Sequence, residues 1–151
     1  MAKATTGRKE LIDRLNEDLS REYQAIIAYV VYSQVLNGAQ YMNIAKELEK
    51  HAAQELQHAL TIAKHIDYLG GMPTVTPQPV KQSKKAVEML RADLKNEGDT
   101  IRAYRERLRQ CEELSEFGIA EDLREILRQE QEHLTDLAAA LGEDPPDLSR
   151  P

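Results

Sequence analysis

One spacing occurs twice in this chain. Glu22 stands 33 residues before Glu55-Leu56-Gln57-His58, and Glu97 stands 33 residues before Glu130-Gln131-Glu132-His133. All four glutamates fall inside apolar stripes whose steps alternate between three and four, the period of a helix with one buried face. The first stripe is Leu11, Leu15, Glu22, Ile26, Tyr29, Leu36, and the second is Ile44, Leu48, His51, Glu55, His58, Ile62. The third is Leu90, Leu94, Glu97, Ile101, Tyr104, Leu108, Cys111, and the fourth is Ile119, Leu123, Ile126, Glu130, His133, Leu137. No β-type alternation competes. Four long amphipathic helices predict an all-α four-helix bundle, with a glutamate turned inward from each helix.

The breakers divide the chain to match. A first helix runs from about Arg8 to Asn37-Gly38, and a second from about Tyr41 to Leu69, stopped by Gly70-Gly71. The proline-rich stretch TVTPQPVK is an extended connection of about 13 residues, able to reach about 43 Å, nearly the length of a helix of about 28 residues. A crossover along the bundle is therefore allowed, though not forced. A third helix follows from about Ser83 to near Cys111, and a fourth from about Phe117 to Leu141, ended by Gly142 and Pro145-Pro146. A fifth helix is not expected. Residues 1–151 are read as a single domain, with 1–7 and 143–151 as loose tails.

Short turns make helices one and two, and three and four, antiparallel hairpins, in which residues equidistant from the turn share a height. Glu22 and Glu55 centre between Gly38 and Ala39, Glu97 and Glu130 at Glu113/Leu114, and Glu55 and Glu97 on Thr76 in the long connection. The four carboxylates should therefore meet near mid-height. Bare carboxylates there would cost on the order of several kcal/mol apiece, or take up protons. Two divalent cations would cancel their charge, and His58 and His133, one turn beyond Glu55 and Glu130, complete a set of oxygen and nitrogen donors. That donor set suits iron or manganese better than a structural zinc. Taken alone, ELQH or EQEH is more often a solvated helix face. The metal reading rests on stripe position, equal spacing and convergence together, an arrangement known in carboxylate-bridged helical bundles.

Bulk properties narrow the alternatives. The formal net charge of -6 disfavours nucleic acid as a partner. A single cysteine, Cys111, excludes an internal disulfide framework and any cysteine-based metal site. The polar start MAKATTGRKE has no apolar core of a secretory signal, and no apolar run is long enough for a membrane span. A cytoplasmic location is expected.

With LNEDLSREYQAI around Glu22, ELQH, EMLRADLKNE ending at Glu97, and LREILRQEQEH, the chain resembles the bacterioferritin-type members of the ferritin-like diiron-carboxylate superfamily, from about Leu11 to Leu141. The resemblance implies a ferroxidase that oxidises Fe(II) with dioxygen or peroxide at a dinuclear site within each subunit, for iron storage or detoxification. It implies two irons per chain, manganese being an alternative, and a homo-oligomer. Glu22 with His58 and Glu97 with His133 would be terminal ligands, Glu55 and Glu130 would bridge, and Tyr29 would be a redox-active neighbour. Tyr104 is read as packing. Leu56 replaces the methionine that holds haem in many relatives, so no haem is expected. Lys50 and Gln54 replace an inner-surface His/Asp pair, which puts that iron relay in doubt. His51 and His65 could flank an iron path but fit packing or solvent exposure better. The tail GEDPPDLSRP leaves no room for a short fifth helix, so a closed shell is in question. Two alternatives remain: a non-storage diiron or manganese–iron oxidase or peroxidase, and a DNA-protecting assembly of the Dps kind, for which Lys3, Arg8 and Lys9 would be the basic tail.

Overall fold

The computed structural model describes residues 2–149, and side chains from Gly7 onward. Its helices are α1 (Ala2–Val35), α2 (Met42–Tyr68), α3 (Ala86–Glu113) and α4 (Phe117–Ala140), with a short 3₁₀ turn at Ala39–Tyr41. All four overlap the expected helices, and no strand or fifth α-helix occurs among the described residues. None of the helices is long and apolar enough to cross a membrane.

Cross-helix bonds fix the topology. Arg8 reaches the carbonyl of Leu69, and Gln34 reaches Glu49, so α1 and α2 are antiparallel. Arg124 pairs with Glu112 and Arg91 with Glu143, on either side of an antiparallel α3–α4 hairpin. Asp18 meets Arg107 while Tyr29 meets Glu97, so α1 and α3 also run oppositely. Because α1 opposes both, α2 and α3 are parallel, and the chain between them must travel the bundle's length. It does so along α1: Asn16 bonds Met72 and Thr74, Ser20 bonds Thr76, Gln24 bonds Pro79, and Tyr32 bonds Lys81. The allowed crossover is the observed one.

Its departure point needs glycine. Gly70 ends α2 with φ +92°, a left-handed conformation that side chains with Cβ disfavour. At Gly71 a Cβ would sit 2.5 Å from Ile12 Cγ2, so the strap starts flush against α1.

Two apolar clusters fill the interior above and below the middle. One gathers Leu11, Leu15, Leu19, Ile62, Ile66, Ile119 and Leu123, and the other Ala28, Tyr32, Ile44, Leu48, Met89, Leu90 and Leu137. They leave a polar layer at mid-height, walled off from solvent at both ends.

Both tails differ from the expectation. α1 begins at Ala2, several residues before Arg8, so residues 2–7 extend a helix. Gly7 abuts Leu114, and Arg8 is tied to Leu69 and Glu116. At the other end Glu143 pairs with Arg91, the Leu148 carbonyl accepts from Arg105, and the Leu148 side chain lies on Gly98. Met1, Arg150, Pro151 and the Lys3 side chain lie outside the described residues.

Candidate dinuclear metal centre

All six expected ligand side chains are brought together. Glu22, Glu55, Glu97, Glu130, His58 and His133 are each no more than 3% exposed. Glu22, Glu55, His58 and Glu130 offer ligand atoms within 4.8 Å of one another, and so do Glu55, Glu97, Glu130 and His133. The two quartets overlap in Glu55 and Glu130, one from α2 and one from α4. Consecutive-helix spacing placed the glutamates at one height, and the ring order α1–α2–α4–α3 turned them onto one another.

The distances are those of groups facing a common centre. His58 Nδ1 is 2.8 Å from Glu130 Oε1, 3.4 Å from Glu55 Oε2 and 3.6 Å from Glu22 Oε2. His133 Nδ1 is 2.7 Å from Glu55 Oε1, and 3.7 Å from both Glu97 Oε1 and Glu130 Oε2. Despite this crowding, Glu22 Oε2, Glu55 Oε1, Glu97 Oε2, both oxygens of Glu130 and both Nδ1 atoms make no aligned hydrogen bond. Buried polar atoms are almost always satisfied, so seven inward-facing orphans in one place call for a shared cationic partner.

The outward atoms are all held. His58 Nε2 lies 2.5 Å from Gln129 Oε1, and His133 Nε2 lies 2.6 Å from Gln54 Oε1. An amide oxygen only accepts, so each Nε2 carries the proton and, in a neutral ring, each Nδ1 presents its lone pair inward. Tyr29 donates to Glu97 Oε1 at 2.5 Å, and Tyr104 donates to Glu22 Oε1 at 2.5 Å. The two halves of the site are thus related by a local twofold exchange: α1 serves α3's glutamate and α3 serves α1's.

Protons balance part of this charge when cations do not. Burial, then the neighbouring carboxylates, drive the Glu55 carboxyl well above its usual range, and burial with Glu130 pushes Glu97 up to about 8. Burial opposes protonation of His133, but the nearby carboxylates of Glu130 and Glu97 outweigh that and raise it to about 10. His58 is raised likewise, by Glu130, Glu22 and Glu55 against burial. For Glu130, burial and Glu22 act upward, yet the closeness of Glu97, His133 and His58 brings it down to about 2. The donor set fits a pair of divalent cations, whose charge would replace these protons.

Several participants escaped the sequence reading. Tyr104, read as packing, serves Glu22; its seven-residue offset from Glu97 equals that of Tyr29 from Glu22, and that equality was the available signal. Gln54 and Gln129 each immediately precede the glutamate of a Glu-x-x-His motif, so the repeat is Gln-Glu-x-x-His. Asp93, one turn before Glu97, is 2% exposed, whereas the stripe had assigned Leu94 to the core. Along the α2–α4 seam His51 meets Asp136 and His65 meets Asp122, flanking the His58–Gln129 pair at seven-residue steps. Leu56 is half exposed on the outside of the bundle.

Residues 12–145 match the profile of the ferritin-like domain family. The chain is 30% identical over 145 residues to a bacterioferritin of Brucella melitensis, covering 91% of this chain and 90% of that protein. It is 28% identical over 137 residues to a bacterial ferritin of Pseudomonas aeruginosa, covering 90% of this chain and 89% of the other. A solved structure described as a ferritin-like, diiron-carboxylate protein from Bacillus anthracis superposes with a TM-score of 0.86 at 35% identity, spanning 89% of this chain and 97% of that one. A bundle with a crossover strap, a buried carboxylate–imidazole layer and relatives of these kinds agree, and the chain belongs to the ferritin-like family.

Proposed function

We propose that this protein is a ferroxidase, taking up two Fe(II) ions per chain as substrate and oxidising them with dioxygen or peroxide, in the service of iron storage or detoxification. The carrying observation is the set of seven buried, inward-facing donor atoms without hydrogen-bond partners. In this reading Glu22 and His58 hold one ion, Glu97 and His133 the other, and Glu55 and Glu130 are shared between them. Each iron would supply one electron to the oxidant. Gln54 and Gln129 fix the imidazole tautomers, the phenols of Tyr29 and Tyr104 fix the terminal carboxylates, and the apolar clusters above and below exclude bulk water. Tyr29, fully buried with its hydroxyl on Glu97, is the residue we assign as an auxiliary electron source. Manganese satisfies the same donors and is the alternative metal.

Self-association belongs to this reading. Ile27, Val30, Val31 and Val35 of α1 and Leu56 and Leu60 of α2 are each at least 40% exposed, more apolar surface on one hairpin than a lone bundle needs. We place the protein in the cytoplasm, consistent with a single, buried and free thiol at Cys111. Particle mass separates storage from a non-storage oxidase: a hollow assembly of many subunits supports storage, and a monomer or dimer supports the oxidase.

The activity test is anaerobic Fe(II) binding followed by oxygen pulses monitored in the near ultraviolet. Wild type is expected to bind iron and oxidise it rapidly, and Glu55→Ala and Glu130→Ala to lose rapid oxidation. Equal oxidation rates in wild type and both variants would refute the assignment.

A further inference from the structure

A second group of metal-ligating side chains lies on the α2–α4 seam, outside the six-residue cluster. Glu47, His51 and Asp136 bring one ligand atom each within 4.8 Å of one another. His51 is 2% exposed; its Nε2 lies 3.1 Å from Asp136 Oδ2, and its Nδ1 has no hydrogen-bond partner. The two carboxylates open to water, with side chains 41% and 44% exposed. The trio therefore runs from solvent to interior: two wet oxygen donors outside, one dry nitrogen donor inside.

The inner end touches the dinuclear centre. The His51 ring stacks on the His133 ring, with centroids 3.9 Å apart and planes 24° from parallel, and Tyr29 packs edge-on against His51 at 5.1 Å. Asp136 is one turn beyond His133 on α4, and His51 one turn before Glu55 on α2. An imidazole at this core position needs partners that a leucine would not, and the nitrogen it turns to Asp136, Nε2, is the donor it offers the trio. Lys50 pairs with Glu47 at 3.0 Å, but its side chain is 70% exposed, so this is a weak surface pair that an entering cation can displace.

We propose that Glu47, His51 and Asp136 form a third divalent-cation site, which accepts a cation from solvent and passes it to the dinuclear centre. Two carboxylates and one imidazole neutralise a divalent ion and leave its remaining positions to water, the arrangement of a site that exchanges rather than retains. The handover half of the proposal rests on the ferroxidase reading, and the site itself does not.

Anaerobic equilibrium dialysis of the full chain against Co(II), with metal analysis of the protein, tests the site. Wild type should hold three Co(II) per chain and Asp136→Asn and His51→Gln two, the half-exposed Asp136 being replaceable without disturbing the core. Equal counts in wild type and both variants overturn the third site. The number left in Asp136→Asn reads the dinuclear centre separately: two supports that centre, and none refutes it whatever the difference from wild type shows. For the transfer role, Asp136→Asn should slow oxidation several-fold at limiting Fe(II) and approach wild type at saturating Fe(II). An unchanged rate at limiting Fe(II) overturns it.

Discussion

At the residue scale, the site depends on side chains that touch the imidazoles from behind as much as on the donors in front. Gln129 and Gln54 turn their amide oxygens, which only accept, to the rings, so they set the same tautomer in both and keep each Nδ1 pointed inward. Gln129→Leu removes that restraint without changing any ligand. We expect it to weaken divalent-cation binding by about 10–100-fold, the usual effect of losing a hydrogen bond behind a metal-bound imidazole. Titration calorimetry with Co(II) measures it, and affinity equal to wild type would show that packing alone orients His58. The sequence declared Glu22, Glu55, Glu97, Glu130, His58 and His133 because helical period and covalent spacing are local properties. It did not pair Gln54 and Gln129 with the imidazoles, because they act across the α2–α4 seam, where no spacing along one helix says which residue faces which.

At the element scale, the crossover strap decides the bundle's connectivity and has little core of its own. It is held to α1 through Asn16, Ser20, Gln24 and Tyr32, and it begins where Gly71 presses on Ile12. Gly71→Ala would place a methyl group 2.5 Å from Ile12 Cγ2 and force the strap or α1 to shift. The expected cost is about 1–3 kcal/mol, the range for overpacking a filled interior, visible as a lower urea midpoint with an unchanged slope. No change would mean that the strap can slide freely. The helices themselves were legible, because stripes and breakers coincide with the observed elements. The ends were less so: Ala2–Gly7 continue α1, and Leu148 folds back onto Gly98, a contact between segments far apart in sequence.

At the scale of the whole molecule, a bundle that encloses charge trades stability against metal content and pH. Glu97 keeps its proton up to about 8 in the folded protein but loses it above the ordinary 4.5 when unfolded, so its contribution falls as pH rises through that window. His133, raised to about 10, contributes fully below 6.5 and progressively less above it. Both act in one direction between pH 6.5 and 8, because the folded state binds more protons than the unfolded one. Chelator-treated protein should therefore show a falling Tm across that range. Saturating Co(II) should raise Tm throughout, each site adding about 2.7 kcal/mol to the unfolding free energy at a hundredfold excess over Kd. A Tm that rises with pH in chelator would show that the cluster does not govern stability.

The sequence by itself determined four helices, their breakers, and four glutamates with two histidines at one level, since the α-helical repeat and the chain length between turns leave little freedom. Only the tertiary structure decided the ring order of the helices, the course of the strap along α1, the exchange of tyrosines between Glu22 and Glu97, and the meeting of His51 with Asp136. Those outcomes depend on which non-consecutive helices share a seam, and that is settled by packing all four apolar faces at once.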